Sequence, residues 1–186
     1  MHTQLASHGE VQAIGNTAIT RASSAILSRF DAQLGGFGHA PKFPGEPSLL
    51  LLLEQWRRNH AADVQQAVEV TLDAMARGGL HDQVGGGFHR YSVDERWLVP
   101  HFEKMLYNQA LLSRVYVQAW ALTGDAWFER VARNTLDYVL REMTDAQGGF
   151  YSATDADSAD AQGHLEEGLY FTWTPAELKQ ALNAED

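Results

Sequence analysis

The chain contains no cysteine. Disulfides, zinc–thiolate centres and thiol nucleophiles are thereby excluded from this stretch. Long apolar runs are missing too. The longest, residues 49–53, is a turn and a half of helix, against the roughly 18 residues a membrane span needs. Basic residues are outnumbered, 14 lysines and arginines against 24 acids, for a formal charge of −10. The cations are scattered among acids, and Arg57-Arg58 reads as a solvated helix end. No basic patch of the kind nucleic-acid binders carry is visible. Nucleic acid and membrane are therefore set aside as partners. Residues 1–10 have neither a basic region nor an apolar core, which argues against a secretory signal and makes the cytoplasm the default location.

What is present is helical periodicity. Ala18, Ile19, Ala22, Ile26 and Phe30 mark a first helix over about 16–33. Pro47 opens a second over 48–59, since proline suits a helix's first turn. Val64, Ala67, Val68, Leu72 and Met75 stripe a third over 62–77, stopped by Gly78-Gly79. Pro100 opens a fourth, running to about 122 and apolar nearly all round, which predicts burial on several sides. Phe128, Val131, Ala132, Leu136, Val139 and Leu140 stripe a fifth, and Thr174-Pro175 caps and opens a sixth. Short links join the second helix to the third and the fourth to the fifth. The other three connections are long and rich in glycine and aromatics.

Each long connection begins alike: Gly35-Gly36-Phe37, Gly86-Gly87-Phe88 and Gly148-Gly149-Phe150 each follow a helix. Glycine permits positive φ at the helix exit, and the phenylalanine packs back on the helix end. A motif recurring every several tens of residues points to a repeated architecture. Helices joined by short turns run antiparallel, so three hairpins place all three long loops at one end. The even helices would form one layer and the odd helices the other. The fold class expected is all-α, a partial (α/α) toroid of about three hairpins spanning residues 1–186.

Three motifs, "GGFGHAPKFP" at 35–44, "GGLHDQVGGGFHRYSVDERWLVPHFEKMLY" at 78–107, and "GGFYSATDADS" at 148–158 with "EEGLYFTWTPAEL" at 166–178, cover nearly the whole chain in order. With them it resembles the spermatogenesis-associated, thioredoxin-domain-containing protein family. The resemblance implies an (α/α)6 toroid similar to six-hairpin glycosidases and N-acylglucosamine 2-epimerases, of which this chain would be the first half. It also implies a thioredoxin-like domain elsewhere in the full-length protein. The family usually reads Leu-Tyr-Asp where this chain has Leu106-Tyr107-Asn108, so a carboxylate at 108 is lost here, while a hydrogen bond is kept.

The middle loop carries the most chemistry. Sugar sites need aromatic faces for pyranose rings and polar groups to hold hydroxyls and move protons. Trp97, Phe88, Tyr91 and Trp173 are the candidate platforms. If helix four begins at Pro100, its dipole disfavours the imidazolium of His101 and stabilises Glu103 as an anion. His101 would then be a general base, with Asp94 or Glu103 as its partner. Asp155 and Asp157 in the third loop would supply further acid or base; the bland reading makes them turn-shaping residues. His81, His89, Arg90, Tyr91 and Trp97 are candidate substrate binders. Lys42 joins them, although a lysine on so rigid a loop more often forms a structural ion pair. Asp155, Asp157 and Asp160 miss the calcium-loop pattern because Ala159 and a displaced acid break it. The histidines lack the i, i+4 spacing of helical zinc sites. Gly85-Gly86-Gly87 follows a helix, not a strand, so no dinucleotide site is expected. The set calls for no metal and no cofactor.

Two functional classes follow. One is a carbohydrate-active domain, an epimerase or isomerase or a hydrolase, acting on a mono- or oligosaccharide by proton transfer. The other is a non-catalytic module serving an attached thioredoxin-like domain. A catalytic face needs a concave pocket lined by His101 and an acid, whereas a brace buries these groups in satisfied hydrogen bonds.

Overall fold

The structure, a computed structural model, describes residues 15–182. Six helices are present: α1 Asn16–Leu27, α2 Glu46–Asn59, α3 Ala62–Arg77, α4 Leu106–Thr123, α5 Ala126–Glu142 and α6 Pro175–Ala181. The reading of residues 1–10, and the residues beyond 182, lie outside the described part.

Local chemistry fixes the helix ends. His60, with φ of 53°, turns α2 toward α3. Gly124, with φ of 71°, does the same after α4, and Asp125 caps α5 by accepting from the Trp127 N–H. Thr174 and Glu177 form a reciprocal capping box on α6, with Pro175 in its first turn. α1 is shorter than its periodicity suggests. It gives way to turns after Leu27, and Phe30 instead bridges to Phe37.

The fourth helix starts later than expected. Pro100–His101 is a short strand (β2) paired antiparallel with Tyr91–Ser92 (β1). Lys104–Met105 (β3) pairs with Ala153–Thr154 (β4) of the third loop. Backbone pairing within the second loop and to the third thus claims residues 100–101 and 104–105 before a helix can form. A third ribbon joins Asp157–Ala159 (β5) to Leu165–Glu167 (β6), followed by a 3-10 turn, Leu169–Phe171.

α2 packs on α3 and α4, and α4 packs on α5. Between them lies a core of Leu49, Leu52, Leu72, Met75, Leu112, Val115 and Tyr116, all fully buried. The Tyr116 hydroxyl donates to the Leu72 carbonyl (2.8 Å), and its ring stacks on Phe88. The α2–α4 contact fits an inner layer of even helices. α6 buries no residue, so it adds nothing to that layer among the described residues. α4 is not enclosed all round either. Val117 and Trp120 are exposed, as are Leu136 and Leu140 of α5, because no described helix covers that side.

Candidate functional site

The three glycine loops are one structure repeated. Asp31, Asp82 and Asp145 each precede a Gly-Gly-Phe. Each accepts backbone N–H groups two or three residues on. Each also donates its own N–H to the second glycine's carbonyl. The paired glycines all have positive φ, between 71° and 95°. The bridges Phe30–Phe37, His81–Phe88 and Thr144–Phe150 close the turns. A buried lysine latches two of them. Lys42 donates to Asp31 and Gly35 O, and Lys104 to Asp82 and Gly86 O. Lys42 also pairs its backbone with Ser92, as Lys104 does with Thr154, so each latch ties its loop to the next.

This accounts for several candidate residues. Lys42 is 2 % exposed and takes up all three of its hydrogens within the protein. It is a latch and has no reach to a ligand. Trp97 is 1 % exposed, with φ of 62° and its indole N–H on the Leu34 carbonyl. It wedges loops one and two together, so it offers no platform; nor does Phe88, which is core. Asp94 gathers the N–H groups of Arg96, Leu98 and Val99 at the tip of the β1–β2 hairpin, and Asp94 is the turn's anchor.

His101 sits on β2, five residues before α4 begins, so no helix dipole acts on it or on Glu103. Two carboxylates hold it instead. Its Nδ1 is 2.7 Å from Glu167 and its Nε2 is 3.6 Å from Glu103. Glu103 is in turn gripped by Arg90 (2.8 Å), and the imidazole stacks on Tyr91, which stacks on Phe43. Glu167 is thus the clasp between loops two and three. It also accepts from the Phe102 N–H.

Two cavities open on the loop face, and none of His101, Glu103 or Asp94 lines either. The larger, about 670 Å³, is lined by Phe102, Tyr170, Phe171 and Trp173 together with His81, His89 and Asp82, and the His89 ring packs edge-on against Phe102 and Phe171. The smaller, about 210 Å³, is lined by Lys104, Tyr138, Arg141, Thr154 and Asp155, and shares Tyr170 and Phe171 with the larger. Asp157 is exposed on β5 and lines neither. His89 Nδ1 lies 2.9 Å from the Phe102 carbonyl. A carbonyl only accepts, so Nδ1 carries the proton and Nε2 keeps a lone pair. Burial, reinforced by the Lys104 charge, lowers the His89 pKa to about 4. Burial also lowers that of His81, whose Nε2 meets Asn134 Oδ1 while Nδ1 has no partner among the described residues. Both imidazoles are therefore neutral at pH 7. Burial lowers the Lys104 pKa, and the Asp82 contact works against it.

The candidates thus divide in two. His81, His89 and Asp155 reach cavities; His101, Glu103, Arg90, Tyr91 and Asp94 form a brace beside them. The residues missed from sequence are Glu167, Tyr138, Tyr170, Phe171 and Asn134. One signal for the repeat was there to read, an aspartate three or four residues ahead of every Gly-Gly-Phe.

Three hairpins with their long loops at one end are the architecture of the (α/α) toroid proteins, present here in part. Solved structures share it. A cellobiose 2-epimerase from Spirochaeta thermophila superposes with a TM-score of 0.64 at 18 % identity, over 75 % of this chain and 40 % of that one. A D-mannose isomerase gives 0.56 at 15 % identity, over 75 % and 40 %. No family model matches, but whole relatives do. Spermatogenesis-associated protein 20 from Mus musculus is 42 % identical over 97 % of this chain, and that from Homo sapiens 47 % over 82 %. The chain belongs to the spermatogenesis-associated protein 20 family. It spans about a quarter of the mouse protein and a fifth of the human one.

Proposed function

We propose that the loop face binds a sugar in the larger cavity and moves a proton on it, in the manner of an epimerase or isomerase. The cavity itself carries the reading: aromatic rings suited to a pyranose face line it together with two neutral histidines. The solved proteins of this fold that act on cellobiose and mannose support it by analogy. Proton transfer is assigned to Nε2 of His89, oriented by the Phe102 carbonyl, in place of His101. Negative charge developing on the substrate as its proton leaves favours the imidazolium, which raises the pKa along the reaction. His101, Glu103 and Glu167 hold the two loops that form the cavity. The domain is read as the first part of a toroid completed in a longer chain that also carries a thioredoxin-like domain.

The test is deuterium exchange at C2 of reducing sugars by the full-length protein in D2O, followed by NMR. Exchange is expected, and His89→Gln should abolish it. Loss in His101→Ala with retention in His89→Gln would reverse the assignment. No exchange, hydrolysis or sugar binding by the intact protein sinks the carbohydrate reading. One observation favours a second reading, a non-catalytic module serving the thioredoxin-like domain: His101, Glu103, Arg90 and Asp94 are tied into internal contacts away from either cavity.

A further inference from the structure

Loops one and two hold their lysines in the same way, and the one difference between them opens onto a cavity. Lys42 gives its three ammonium hydrogens to Asp31 Oδ2 (2.9 Å), Gly35 O (2.7 Å) and Glu95 O (2.9 Å). Lys104 repeats the first two, to Asp82 Oδ2 and Gly86 O, both at 2.7 Å. Among the described residues it has no third oxygen. Where the Glu95 carbonyl completes the shell of Lys42, Lys104 meets the rings of Tyr138 and Phe171, at 4.2 and 5.0 Å from their centroids. Both rings line the smaller cavity, as does Lys104, whose side chain is only 1 % exposed. A buried ammonium with an N–H free for an oxygen is a strong, oriented donor.

The rest of that cavity narrows the ligand. Among the described residues, Asp155 accepts only the Asp157 N–H, on one oxygen (3.1 Å). The Tyr138 hydroxyl and Thr154 Oγ1 lie 3.3 Å apart and can each take a further partner. Arg141 is already bound to Glu142 and to the Gly85 carbonyl. An anion entering here would meet Asp155 and Glu142, and a cation would meet Lys104 and Arg141. Aromatic faces with mixed donors and acceptors suit a neutral ring bearing hydroxyls.

We infer that the smaller cavity is a subsite for one sugar ring. One ring hydroxyl accepts from Lys104 Nζ in the place the Glu95 carbonyl takes on Lys42, and another donates to Asp155. The inference rests on the carbohydrate reading of the larger cavity and extends it. Asp82, Gly85, Tyr170 and Phe171 line both cavities, so the ligand class becomes a disaccharide or longer, with rings on either side of Tyr170 and Phe171.

The chain has three lysines, Lys42, Lys104 and Lys179, which makes the subsite directly visible. In a titration of the uniformly 15N-labelled chain with cellobiose, the Lys104 ammonium signal is expected to move saturably. The Lys42 signal, with its shell complete, should stay. If Lys104 stays while amides around His89 and Trp173 move, the subsite is wrong and the carbohydrate reading stands. If no sugar moves any signal, both fail. Movement with inorganic phosphate but not with cellobiose makes it an anion site and overturns the proposal. Lys104→Met would also break the latch to Asp82, so Asp155→Asn is the better variant. It should weaken cellobiose binding about tenfold, the value of one charge-assisted hydrogen bond, with an unchanged melting temperature. Unchanged affinity would remove Asp155 from the site, and the subsite with it.

Discussion

At the scale of single residues, the neutral state of His89 leaves a mark on stability. Its folded pKa is about 4 against 6.5 for the free group. Between those values the unfolded chain binds a proton that the folded chain refuses, so stability falls as pH falls. The loss begins near pH 6.5 and is complete by about pH 4. It amounts to about 2 kcal/mol at pH 5, at 1.36 kcal/mol per pH unit. His81 pulls in the same direction. Urea unfolding midpoints should therefore drop between pH 7 and pH 5, and His89→Gln should flatten the drop. A midpoint constant over that range contradicts the burial of both rings. Asn108 shows the same physics resolved in the sequence. Its amide donates to Glu46 at 2.6 Å, both groups buried. An aspartate there would set two buried carboxyl groups against each other.

At the scale of elements, the glycine loops separate conformational need from steric need. Gly87 has φ of 75°, and a Cβ there would lie 2.6 Å from the Tyr138 ring. Gly148 has φ of 90° and open space around it. Alanine at 148 meets backbone strain alone, about 1–2 kcal/mol. Alanine at 87 adds overpacking of about 1–3 kcal/mol. Thermal melts of the two variants should rank Gly87→Ala clearly lower, and equal losses would mean that α5 does not cover the second loop. The repeat behind this was legible in sequence because glycine pairs and helix stripes are local signals. The start of α4 was not. Pro100 is a good helix opener, and only the pairing of residues 100–101 and 104–105 with partners in loops two and three overrides it. The helix-dipole argument for His101 failed with that boundary. Glu167 was missed for the same reason, since its partner lies 66 residues away.

At the scale of the whole molecule, the question is what the third loop and the outer side of α4 and α5 face. Loop one is covered by α3, which meets Gly35 through Thr71 and Ala74, and loop two by α5, which meets Gly86 through Asn134. Among the described residues nothing would meet a Cβ on Gly148 or Gly149 within 4 Å, and Phe150 is 58 % exposed where Phe88 is fully buried. Val117 and Trp120 of α4 and Leu136 and Leu140 of α5 are exposed as well. Scattered apolar residues are ordinary on a protein surface, but spacing at i, i+3 and i, i+4 sets each of these pairs on one face of its helix. Net charge of −10 opposes association at long range, and salt screens that repulsion within about 10 Å. The chain by itself is therefore expected to associate, and more so as salt rises. Sedimentation velocity over a concentration series, at low and high salt, should show a rising mass, and Leu136→Gln with Leu140→Gln should lower it. A monomer at every concentration and salt would mean that these exposed residues are too dispersed to hold a partner.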